Sequence, residues 1–65
     1  MTSVELRAVK DGCYAAGHIA AICSIMADSL QADPATTLIG EAIEGIGIMA
    51  RDLSNNLNAL DEQTR

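Results

Sequence analysis

The chain has 65 residues, nine of them acidic and four basic, for a formal net charge of −5; 49% are hydrophobic and Tyr14 is the one aromatic. That length limits it to a single domain, 1–65, whose own core seldom supplies more than about 3 to 5 kcal/mol, so outside support is expected. The acidic balance argues against nucleic acid and anionic membrane as targets, because both require a cationic patch.

The first element is announced by Thr2-Ser3-Val4-Glu5, which has the spacing of a capping box, with hydroxyl and carboxylate satisfying each other's backbone donors. The pattern that follows predicts a helix over about 3–31. Leu6, Val9, Cys13, Ala16, Ala20, Cys23, Ala27 and Leu30 recur at alternating spacings of three and four, the seam expected of bundle packing. Ala8, Ala15, Ile19, Ile22 and Met26 form a second seam beside it. At about 100° per residue the two cover about 200°, wider than one neighbouring helix can bury.

The apolar stretch within this helix, CYAAGHIAAICSIMA, is bounded by Asp11 and Asp28. That interval falls short of the about 20 residues of a membrane span, and His18 lies inside it, so no membrane role is expected. Read as a signal peptide, its removal would leave one lone helix. Cys13 and Cys23 lie about 15 Å apart along one helix at about 1.5 Å per residue, beyond the about 7 Å reach of a disulfide. Unpaired thiols suit a reducing cytosol, and the expected location is cytoplasmic. A structural zinc site wants four His or Cys ligands, and the chain has one histidine and two cysteines, so no metal or cofactor is expected.

Asp33-Pro34 is an N-cap acceptor followed by a proline at the first helical position. It predicts a turn at 32–33 and a second helix over about 34–61, and so short a connection forces the helices antiparallel. Here Ile39, Ala42, Ile43, Ile46, Met49, Ala50, Leu53, Leu57 and Leu60 fall within about 100° to 140°. Gly40, Gly45 and Gly47 each cost about 1 kcal/mol relative to alanine inside a helix. They serve close approach or permit bending, or their cost is offset by packing.

The expected fold is therefore all-α, an antiparallel two-helix hairpin that homodimerises into a four-helix bundle. A lone hairpin would leave the excess apolar surface of the first helix wet, and at about 25 cal/mol per Å² covering even about 400 Å² is worth roughly 10 kcal/mol. Ala16, Ala20, Cys23 and Ala27 are the expected dimer interface, being small enough for two backbones to approach.

Apolar residues left on the outer side of each helix become candidates for partner contact. Tyr14, His18 and Ile25 share one stripe of the first helix, readable as partner surface, as dimer seam or as incidental exposure. On the second helix Ile48 sits amid Glu41, Glu44 and Asp52. Between Lys10 and Arg51 there is no basic residue, while Asp11, Asp28, Asp33, Glu41 and Glu44 all lie in that interval. The turn end is therefore anionic, which steers it toward a basic protein surface or simply aids solubility. The expected partner-binding set is Tyr14, His18, Ile25, Glu41, Glu44 and Ile48. No enzyme is expected: His18 has no partner at a fixed spacing, and the Glu-x-x-His pattern of bundle di-iron sites is absent.

With LRAVKDGCYAAGHIAAICSIMADSLQAD followed by PATTLIGEAIEGIGIMARDLSNNLNAL, the chain resembles the short helical proteins that phages and prophages make early in infection to disable host factors. Among these it is most similar to small helical dimers of Pseudomonas phages that act against quorum sensing. The resemblance covers size, the two-helix plan and the acidic balance. It implies a homodimer that binds a host protein, a LuxR-type transcriptional regulator at its DNA-binding region or a pilus assembly ATPase. The expected function is thus an acidic protein–protein interaction module acting as an inhibitor. Its rival is a structural dimerisation or adaptor subunit, antitoxin-like, without inhibitory role.

Overall fold

The structure is a computed structural model that describes residues 1–63. Helix α1 runs over Ser3–Gln31 and helix α2 over Thr37–Gln63, with no strand among the described residues. The two pack antiparallel into a rod with principal extents of 49 × 14 × 11 Å. That is one layer of helices, whereas a domain normally has two.

Local chemistry accounts for both helix starts. The Thr2 hydroxyl accepts from the Glu5 N–H at 3.1 Å, the hydroxyl half of the expected box. Asp33 behaves differently from the expectation that α2 begins at Pro34. Its carboxylate accepts from the Ala35 N–H at 2.9 Å, and its carbonyl accepts from the Thr36 N–H at 3.0 Å. This closes a separate turn, and regular α-helix starts only at Thr37. The Thr36 side chain ties the two elements together, its hydroxyl donating to the Leu30 carbonyl at 2.6 Å.

The seam within the hairpin keeps a strict alternation of three and four on both helices. Leu6, Val9, Cys13, Ala16, Ala20, Cys23, Ala27 and Leu30 of α1 are all buried or half-buried, as are Gly40, Ile43, Gly47, Ala50, Ser54, Leu57 and Asp61 of α2. Small residues dominate both lists, so the backbones come close. A methyl group on Gly47 would stand 2.9 Å from the Cys23 Cβ and 3.5 Å from the Ala20 carbonyl oxygen; one on Gly40 would meet the Gln31 Cγ at 2.7 Å. Close approach is therefore what these two glycines are for. A methyl group on Gly45 would meet no neighbour within 4 Å among the described residues.

Two expectations are corrected here. Ala16 and Ala27 are not free to form a subunit contact, because the chain's own α2 covers them to 5% and 1% exposure, while Ala20 and Cys23 are half-buried in the same seam. The apolar set of α2 does not turn inward as a block either. Ile43, Ala50 and Leu57 face α1, but Ile39, Ala42, Ile46, Met49, Leu53 and Leu60 are exposed. A helix can present its glycines or its large residues to a neighbour, and here the three-four repeat of small residues wins because it lets both backbones pack along their full length. Among the described residues the fully inward apolar side chains are Ala16 and Ala27, and no large side chain is completely buried.

Candidate functional site: two unlike faces of one hairpin

With the seam fixed, the helical repeat of about 100° per residue assigns every other position to one of two broad faces. On one of them, Gly17, Ala20, Ala21 and Ser24 of α1 and Gly47 of α2 form the floor of a groove of about 560 Å³, rimmed by Asp28, Glu44, Ile48 and Arg51. The Gln31 side-chain amide bridges the helices on the same side, donating to the Glu44 carboxylate at 2.9 Å. Nearer the termini a smaller depression of about 90 Å³ is lined by Lys10, Cys13, Tyr14, Asn58 and Asp61. This face is mixed in polarity.

The opposite face is not. From α1 it receives Ile19, Ile22 and Met26, and from α2 Ile39, Ile46, Met49, Leu53 and Leu60, every one of them exposed, Met49 to 72%. Ala8, Gly12, Ala15 and Ala42 lie among them, with Ser29 and Asn56 at the margins. Between residues 8 and 29 on α1, and 39 and 60 on α2, the positions turned to this side carry no ionisable group. The second seam anticipated on α1 is this face, and the large apolar residues of α2 that fail to turn inward join it.

The expected partner residues are dispersed by the fold. Glu44 and Ile48 meet in the groove, and Tyr14, 61% exposed, lines the smaller depression. Glu41 is exposed on the same side of α2. His18 and Ile25 are exposed on the back of α1, away from α2, so the stripe drawn through Tyr14, His18 and Ile25 wraps off the mixed face. Asp33 accepts from its own turn and Glu44 from Gln31, and both remain exposed with Asp28 and Glu41 at the anionic end. Arg51, on the groove rim, was not among the expected residues; its signal was its position one helical turn beyond Ile48.

Cys13 and Cys23 are both free thiols, half-buried in the seam. Cys13 donates to the Ser54 carbonyl at 3.3 Å, which gives the sulfur a structural task. Among the described residues no group of three or more histidine, cysteine and acidic side chains is placed to hold a metal ion. By length and composition α1 is apolar enough to cross a membrane; in the structure it packs along α2. No protein-family model, curated protein or solved structure matches the chain.

Proposed function

We propose that this chain is a cytoplasmic protein–protein interaction module that works as a homodimer, completing a four-helix bundle, and inhibits another protein by occupying its surface. The observation that carries the reading is the uncharged apolar face running along both helices. Monomeric soluble proteins rarely expose contiguous apolar patches beyond a few hundred Å², and larger ones mark association sites. The mixed face, with its groove and its Asp28, Glu41 and Glu44 carboxylates, supplies the second surface that an inhibitor needs. Those carboxylates favour a basic target, such as the DNA-binding region of a LuxR-type regulator, where they would take the places of phosphates.

Charge reversal tests this. A Glu41→Lys, Glu44→Lys variant should keep its helicity and its assembly state while losing the ability to displace DNA from a regulator of that class. Unchanged displacement would remove the inhibitory role. Loss of assembly in the same variant would favour the alternative, a structural dimerisation or adaptor subunit.

A further inference from the structure

Resting on the reading of the chain as a self-associating module, we infer which face the second copy covers and in which direction it runs. The uncharged apolar face is the dimer interface, and the two hairpins meet there with their turns at opposite ends, α1 lying on α1 of the second copy.

Area identifies the occupant. A compact monomer of the chain's 6.8 kDa mass exposes about 4000 Å², but this hairpin exposes 4620 Å². The surplus of about 600 Å² approaches the about 800 Å² that each partner contributes to a stable interface. A second copy supplies the missing layer and covers an equal apolar face of its own, with no other molecule required.

Shape fixes the direction. On this face the turn half of α1 carries Ile19, Ile22 and Met26, while the terminal half carries Ala15, Gly12 and Ala8. Two copies of α1 running antiparallel and centred near Gly17 set Ile19 over Ala15, Ile22 over Gly12 and Met26 over Ala8, large on small three times in succession. If the turns instead lay at the same end, α1 would face α2 of the second copy. The levels set by Gly47 beside Cys23 and Gly12 beside Leu57 would then press Ile22 against Ile46 and Ile19 against Met49, wedging the turn end apart. Charge agrees with shape. Antiparallel packing separates the two acidic turn ends, which carry Asp28, Asp33, Glu41 and Glu44, whereas packing with the turns together would set them side by side.

Cross-linking reads the direction. In a C13A/C23A background shown to be helical, chains carrying A8C are mixed with chains carrying M26C and oxidised mildly. A mixed disulfide is expected, because the Cα atoms come within the about 7 Å that a bridge tolerates. A mixture of A8C with L60C should give none; the reverse result would overturn the antiparallel arrangement. Sedimentation of the unaltered chain should show twice the 6.8 kDa mass, and Ile46→Asp should weaken association by at least about 100-fold. A dimer indifferent to Ile46→Asp would overturn this face and leave the module reading intact. A helical monomer at micromolar concentration would overturn both. If that monomer bound phosphatidylcholine vesicles, the apolar face would belong to a lipid surface instead.

Discussion

Ser54 and Cys13 bind each other twice across the two helices: the Ser54 hydroxyl donates to the Cys13 carbonyl at 2.9 Å, and the Cys13 thiol donates to the Ser54 carbonyl at 3.3 Å. Both bonds end on helical carbonyls, so they tie backbone to backbone. They also fix the level of α1 against α2 in a seam whose small residues offer few large knobs to do so.

Removing that link should be measurable. Ser54→Ala is expected to cost about 1 kcal/mol, which lowers the melting temperature by about 4 to 8 °C in a domain of this size. Ser54→Val removes the same hydroxyl and should lose at least as much. Thermal denaturation followed by circular dichroism, at one fixed protein concentration, checks both.

The glycines of α2 should respond in opposite directions. Gly47→Ala is expected to destabilise by about 1 to 3 kcal/mol through overpacking against Cys23, despite the better helix propensity. Gly45→Ala meets open space and should stabilise by up to about 1 kcal/mol. If both substitutions shifted the urea midpoint the same way, the close-approach role of Gly47 would be lost.

At the turn, Thr36→Val keeps the shape and removes the hydroxyl that grips the Leu30 carbonyl. A loss of about 1 kcal/mol is expected, largely restored in Thr36→Ser. Hydrogen exchange of the amides around residues 30 to 37 should rise in the valine variant before global stability falls appreciably.

Tyr14 and Ile25 stand outside both seams, at 61% and 72% exposure. Tyr14→Ser and Ile25→Ser should therefore leave stability within about 0.5 kcal/mol of the parent and leave the assembly state unchanged. A partner that depends on the mixed face should bind more weakly to the Tyr14 variant than to the Ile25 variant.

Much of the fold was legible from spacing alone. The three-four repeat from Leu6 to Leu30 identifies the residues of α1 that face α2, and Thr2 caps α1 as expected. Apolarity alone does not identify the buried positions. Along α2 the repeat that packs is Gly40, Ile43, Gly47, Ala50, Ser54, Leu57 and Asp61, which a hydrophobicity count passes over because all but Ile43 and Leu57 are small or polar. Once glycines claim the seam, Ile39, Ile46, Met49, Leu53 and Leu60 must lie elsewhere, and the alanines assigned to a subunit contact are already covered. The candidate site was less legible, because exposure on a helix says nothing of which outer residues share a face until the neighbour's direction is known. Glu44 and Ile48 come together; His18 and Ile25 turn away from them.

An interior lined with methyl groups and bare backbone has a calorimetric consequence. Separated from any companion, such a rod has little greasy surface left to wet when it melts, so its heat-capacity increment should fall well below the usual about 12 to 15 cal/mol/K per residue. The same scarcity makes its denaturant slope shallow, and both quantities should climb toward ordinary values as concentration brings the chains together.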